Sequence, residues 1–157
     1  MSVQPTIRRA QGVDLAVALA LLEGAGLPTA DLTSARDLQL WVFEENETVF
    51  GLIGMERFGA CALLRSLAVS PSYQRRGFGH TLVALLEREA QSEGVKQLVL
   101  LTETSERFFR AIGYEEIDRR LVPEQIKQSA EFQSLCPASA VCMTKLLAPS
   151  GARASHG

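Results

Sequence analysis

With 157 residues, 46% of them hydrophobic and 22% charged, the chain is sized for one domain with a core of its own. A net charge of −2 with no block of Lys or Arg argues against a nucleic-acid partner, and no apolar run approaches the ~20 residues of a membrane span. Three cysteines, Cys61, Cys136 and Cys142, cannot all pair within one chain, and the N-terminus lacks a signal-peptide pattern, so a reduced, cytoplasmic setting is expected.

Taken in order, residues 6–9 read as a short edge strand. Residues 13–25 read as a helix with Leu15, Leu19, Leu22 and the alanines on a broad apolar face, ended by Gly24, Gly26 and Pro28. Asp31 or Thr33 is the expected cap of a short second helix to about Asp37. Three strands follow, over 39–45, 48–57 and 61–69, joined by turns at Glu45-Asn46-Glu47 and Phe58-Gly59-Ala60 into an antiparallel meander. In the first of them Leu40 and Val42 alternate with Trp41 and Phe43. Phe78, Leu82, Leu85, Leu86 and Ala90 recur at helical spacing, and Ser92-Glu93-Gly94 stops that helix. Residues 98–101 are an unbroken apolar run, as expected of a strand covered on both faces, and a strand–helix–strand unit of this length implies a parallel crossover. A helix over 105–112 capped by Ser105 and stopped by Gly113, a strand over 114–119, a helix over 123–135 and a strand over 141–147 complete the chain. Residues 1–148 read as a single domain and 149–157 as a small, polar, disordered tail.

The chemistry concentrates where the third strand gives way to the helix, in Val69-Ser70-Pro71-Ser72-Tyr73-Gln74-Arg75-Arg76-Gly77-Phe78-Gly79. A helix start offers unpaired N–H groups and the positive end of the dipole; two glycines bare the backbone and two arginines add charge, which suits a phosphate or pyrophosphate. A P-loop would need Lys where His80 stands, and the dinucleotide fingerprint would need Gly where Leu82 stands. What remains, Gln74-Arg75-Arg76-Gly77-Phe78-Gly79 after a strand ending Leu67-Ala68-Val69-x-Pro71, resembles the acetyl-CoA signature of the GNAT superfamily of N-acetyltransferases.

The element order β-α-α-β-β-β-α-β-α-β-α-β resembles the GNAT fold over nearly the whole chain. That resemblance implies an α/β fold with a mixed central sheet flanked by helices, whose two central strands splay apart. It implies acetyl-CoA as cosubstrate, entering between those strands, with Leu67, Ala68 and Val69 meeting the pantetheine and thioester. Gln74, Arg75, Arg76, Gly77, Phe78, Gly79 and His80 would hold the phosphates, and Phe108 and Phe109 would complete the cofactor site. Phe108-Phe109-x-x-x-Gly113-Tyr114 resembles the family's aromatic helix, but Phe109 stands where many members carry a tyrosine proton donor. Four stretches, at 27–32, 64–69, 101–104 and 131–137, resemble the group associated with arsenic-resistance gene clusters, which is similar also to N-acetylglutamate synthase domains.

Acceptor chemistry falls to a few charged residues. Glu103, just past a strand end, is the first candidate for a base or amine holder, set against a solvated loop carboxylate. Glu56 is the second, set against a surface pair with Arg57 or Arg65. Arg65, among leucines in the central strand, needs a partner or a ligand and suits a carboxylate or arsonate-like oxyanion; a buried pair with Glu56 or Glu103 is its alternative. Ser66 beside it is counted with the acceptor side. Two histidines, His80 and His156, give no metal site, and trivalent arsenic on three widely separated cysteines is weakly supported. The reading is an acetyl-CoA-dependent N-acetyltransferase acting on a small amine or amino-acid acceptor, without nucleic acid or membrane and with a homodimer left open. Its alternatives are a non-catalytic acyl-CoA or arsenical sensor of the same fold and an enzyme similar to N-acetylglutamate synthase.

Overall fold

A computed structural model describes residues 5–27, 29–30, 32, 38–130, 132–133 and 139–148. The expected second helix, Cys136, His156 and the tail lie outside those residues. The described elements are β1 (Thr6–Arg9), α1 (Leu15–Gly24), β2 (Leu38–Glu45), β3 (Thr48–Phe58), β4 (Cys61–Val69), α2 (Phe78–Ser92), β5 (Gln97–Thr102), α3 (Glu106–Ala111), β6 (Glu115–Glu116), α4 (Glu124–Lys127) and β7 (Val141–Leu146). The strands form one sheet in the order β1-β2-β3-β4-β5-β7-β6. Every pairing is antiparallel except β4 with β5. This is the mixed sheet with flanking helices that the element order implies.

Alternation along the strands divides the core between two faces. Trp41, Phe43, Leu64, Leu98 and Leu100 face α2, which buries Leu82, Val83, Leu86 and Ala90, and α3, which buries Phe109. Val42, Leu52 and Ala68 face α1, and Leu63, Val99 and Cys142 pack with Ile126 of α4. The chain is therefore covered on both faces along β2, β4 and β5. Among the described residues, no helix is long and apolar enough to cross a membrane.

Several boundaries differ from the sequence expectation, each for a local reason. The first helix begins as a 3₁₀ turn, Gly12–Asp14, because Asp14 accepts from the Gln11 N–H at 2.7 Å and fixes the chain there. Ser105 stands at the N-cap of α3 without a cap bond from its hydroxyl. The strand expected over 114–119 shortens to two residues: Tyr114 turns into the core, and Asp118 accepts from the Arg120 N–H at 2.9 Å to start another 3₁₀ turn, Arg119–Leu121. The helix expected over 123–135 is broken: α4 is a single turn, and beyond Gln128 and Ser129 the backbone is helical again at Ala130, Phe132 and Gln133. At the break the Ser129 hydroxyl accepts from the Phe132 N–H at 3.3 Å, as an N-cap does for the helical residues that follow.

Candidate functional site

β4 and β5 run parallel through only three pairs, Cys61↔Gln97, Ala62↔Leu98 and Leu63↔Val99. Beyond them β4 continues to Val69 and β5 to Thr102 without pairing to each other. The divergence opens a cleft of about 840 Å³ at the carboxyl ends of both strands, where open α/β sheets bind their ligands. Its walls are residues 64–69 of β4, residues 100–105 at the end of β5, the loop and first turn of α2, Phe108 and Phe109 of α3, Ala140, and residues 25–27 after α1.

β4 is kinked at the cleft. Leu52 pairs with Ala68 and Gly54 with Arg65, so Ser66 and Leu67 together stand opposite Ile53. Ser66 carries the bulge at φ +62°. A bulge of this kind re-aims the backbone beyond it, here at Leu67, Ala68 and Val69.

The mouth of the cleft is built from the loop before α2. Arg75 and Gly77 both take left-handed conformations, φ +68° and +84°, which turn the backbone toward the N-terminus of a fifteen-residue helix. A Cβ at Gly77 would meet nothing within 4 Å, so the space before that backbone is open. Oriented N–H groups of this kind form an anion cradle. The Gln74 amide donates to the Val69 carbonyl at 2.9 Å and so ties the loop to the end of β4. A ring stack holds it from below: Phe50 lies 4.0 Å from Tyr73 and 4.8 Å from Phe78 between centroids.

Of the residues singled out in the sequence, Arg65, Ser66, Leu67, Ala68, Val69, Gln74, Arg75, Gly77, Phe78, Gly79, His80, Glu103, Phe108 and Phe109 line this one cleft. Arg76 does not line it; its guanidinium sits over the rings of Phe78 and Tyr73, at 5.0 and 5.6 Å. Glu56 does not line it either. It is buried and its Oε1 lies 3.5 Å from the Arg65 guanidinium, the buried pair weighed as the alternative for Arg65, where a surface pair was the alternative for Glu56. The Arg65 side chain is 0% exposed while the residue as a whole is 3% exposed, so Arg65 offers the cleft its backbone. The carboxylate-binding role expected of its guanidinium has no surface to act through. Glu103 is exposed at the cleft rim.

Phe109 is 4% exposed and packs edge-on against Phe108 and Tyr114, with centroids 5.0 and 5.5 Å away. Tyr114 belongs to the core: burial pushes its phenol well above the usual range and its hydroxyl donates to Glu87 at 2.8 Å. Cys61 pairs across from Gln97, and Cys142 from Leu101, four residues further along β5. That is roughly 13 Å of strand, too far for one soft-metal site. Burial raises both thiols, Cys142 up to about 11. Among the described residues, no group of three metal-ligating side chains gathers.

The sequence reading did not count with the site Ala25, Gly26 and Leu27, which it placed at a helix end and the loop after it, nor Thr102, Thr104, Ser105 and Ala140. It missed the bulge as well. Leucine and serine carry no mark of a left-handed conformation, whereas a glycine at position 66 would have.

The chain matches the model of the acetyltransferase (GNAT) family over residues 18–114. It is 32% identical over 93 residues to an uncharacterised N-acetyltransferase of Chlorobaculum tepidum, an alignment covering 54% of this chain and 57% of that protein. It is 40% identical over 55 residues to the amino-acid acetyltransferase of Ectopseudomonas mendocina, covering 35% of this chain but 13% of that longer enzyme. In three dimensions it resembles N-acetylglutamate synthase of Neisseria gonorrhoeae complexed with coenzyme A and N-acetyl-glutamate, with a TM-score of 0.79 and 21% identity over 94% of this chain and 36% of that one. It also resembles the ribosomal-protein-S18-alanine N-acetyltransferase of Escherichia coli, with a TM-score of 0.72 and 20% identity over 95% of this chain and 97% of that one. Likeness at these identities speaks for the fold.

Proposed function

We propose that this chain, which belongs to the acetyltransferase (GNAT) family, transfers an acetyl group from acetyl-CoA to the amine of a small, amino-acid-like acceptor. The observation that carries the reading is the parting of β4 from β5 beyond Leu63, with the glycine-bearing start of α2 at the mouth of the gap. One element supplies an anion cradle and the other an unpaired strand edge, and a ligand with a pyrophosphate at one end and an amide-bearing arm at the other fits both. Acetyl-CoA supplies a thioester as electrophile and a thiolate as leaving group.

The residues divide the work along the cleft. The N–H groups at Gly77, Phe78 and Gly79 and the Arg75 guanidinium take the pyrophosphate charge, with His80 beside them. The free edge of β4 at Leu67, Ala68 and Val69 pairs with the amide-bearing arm as an added strand would, and an N–H there faces the charge that develops on the acyl oxygen. An acceptor amine is mostly protonated at neutral pH, and the Glu103 carboxylate at the cleft rim holds the ammonium and takes its proton, directly or through water. Phe109 has no proton to give. A thiol with a pKa near ~8.5 needs only modest help to leave, which solvent provides.

The acceptor class is supported by the match to an amino-acid acetyltransferase. The resemblance of residues 64–69 and 101–104 to the arsenic-resistance-associated group extends it to arsenic- or phosphorus-containing amino-acid analogues.

The test is thiol release from acetyl-CoA across a panel of amino acids, their analogues and simple amines. Wild type is expected to turn over at least one amino-acid-like acceptor. Glu103→Gln is expected to lower kcat by about ten- to a hundredfold, the scale of general base catalysis, with most of the loss recovered at high pH. Coenzyme A binding without thiol release on any amine would make the chain a sensor instead.

A further inference from the structure

Ser66 holds φ +62° within β4. A residue with a Cβ persists in the left-handed region only where its surroundings over-determine it. Three polar side chains are buried at this point, Glu56, Arg65 and Ser66, at 9%, 3% and 7% exposure. Arg65 Nε donates to Ser66 Oγ at 3.1 Å, and Arg65 Nη1 lies 3.5 Å from Glu56 Oε1. Glu56 is itself fixed on β3, between Leu38 of β2 and Leu63 of β4. A buried polar chain therefore runs from β3 through the guanidinium to the one strained residue of β4. Buried ion pairs are dearly desolvated, and apolar side chains of similar size would stabilise the sheet as well or better. The proton and acyl chemistry above uses none of the three.

We propose that Glu56, Arg65 and Ser66 are positioning residues: the pair clamps the Ser66 hydroxyl, and the bulge so held sets the backbone of Leu67, Ala68 and Val69 at the acyl site. The inference deepens the acetyl-transfer reading and rests on it for its kinetic consequence, but not for its structural one. A strand edge displaced by a fraction of an ångström still binds a long cofactor but no longer aims its N–H at the reacting oxygen.

Two substitutions separate clamp from chemistry. Ser66→Ala keeps the Cβ and removes the hydroxyl; Ser66→Gly removes the hydroxyl and also the strain. Amide hydrogen exchange across the bulge, at residues 52–54 and 66–68, is expected to quicken about tenfold or more in Ser66→Ala and to stay near wild type in Ser66→Gly. In the same variants kcat is expected to fall about tenfold or more for Ala and to recover for Gly, while the KM for acetyl-CoA moves less than about threefold. The double variant Glu56→Leu/Arg65→Met, which removes both charges of the pair together, is expected to fold with the fast exchange and low kcat of Ser66→Ala, and addition of Ser66→Gly to restore both. Equal loss of kcat in Ser66→Ala and Ser66→Gly would make the hydroxyl itself the working group and overturn the clamp. Wild-type exchange in both Ser66→Ala and the double variant would overturn it as well. If no amine supports transfer by wild type, the acetyl-transfer reading fails, and exchange alone still decides whether the clamp exists.

Discussion

Gly77 and Gly79 look equivalent in the motif but meet different constraints. Gly77 has φ +84° and open space before it, so a side chain there strains the backbone and occupies the cradle. Gly79 has no positive φ, and a Cβ there would sit 3.6 Å from Phe108 Cζ, an ordinary contact. Gly77→Ala is therefore expected to lose about 1 kcal/mol of stability, the cost of a left-handed alanine, and to weaken coenzyme A binding about tenfold or more. Gly79→Ala is expected to fold at wild-type stability with a smaller loss of affinity. Calorimetry with coenzyme A on both variants checks this; equal affinities for wild type and Gly77→Ala would remove the cradle from the site. The same scale shows where sequence reading stops. Arg65 was legible as a charge in an apolar strand, and both its fates could be named, but choosing between them needed the hairpin register that brings Glu56 beside it.

The elements were legible in proportion to their periodicity. β4 and the start of α2 coincide with the sequence expectation because apolar residues dominate β4 on both sides of Arg65 and Ser66 and recur at helical spacing from Phe78, and they carry most of the cofactor half of the cleft. β6 was overread and the break after α4 was missed, because Asp118 and Ser129 each take a backbone N–H locally, which composition does not show. α3 is only six residues long, too short to stand alone, and is held by tertiary contacts at its end. Tyr114 donates to Glu87 of α2, Lys145 of β7 lies 3.1 Å from the same carboxylate, and its ammonium donates to the Ile112 carbonyl at 3.0 Å. This network fixes the helix that presents Phe108 and Phe109 to the cleft. Tyr114→Phe is expected to cost about 1–2 kcal/mol in denaturant unfolding, the scale of a buried hydrogen bond to a charged group, and to weaken coenzyme A binding a few-fold. An unchanged midpoint would show that Lys145 alone satisfies Glu87.

At the scale of the molecule, the cleft depends on a sheet whose far edge is tied to α1, because the residues following α1 form one of its walls. The tie is Arg8 on β1. Its guanidinium donates twice to Asp14, at 2.8 and 3.0 Å, and to Glu44 on β2 at 3.0 Å, while Asp14 also takes the Gln11 N–H. Hydrogen bonds from Arg8 hold the buried Asp14 carboxyl below the usual carboxylate range. The sign follows: the unfolded chain binds this proton more tightly than the folded one, so stability rises with pH across the interval between the two values. The contribution is complete above the unfolded value near ~3.9 and is lost as pH falls through the folded one. Asp118, lowered to about 2 by Arg120, titrates in the same direction but is exposed on a 3₁₀ turn. Asp14→Asn should thus lose about 1–3 kcal/mol at neutral pH, the scale of charge-assisted hydrogen bonds, and show a shallower stability profile below about pH 5. Asp118→Asn should leave the neutral-pH stability close to wild type, since an exposed pair contributes little. Urea unfolding of the three proteins from pH 2 to 7 checks the assignment, and a wild-type slope retained in Asp14→Asn would place the acid sensitivity elsewhere in the sheet.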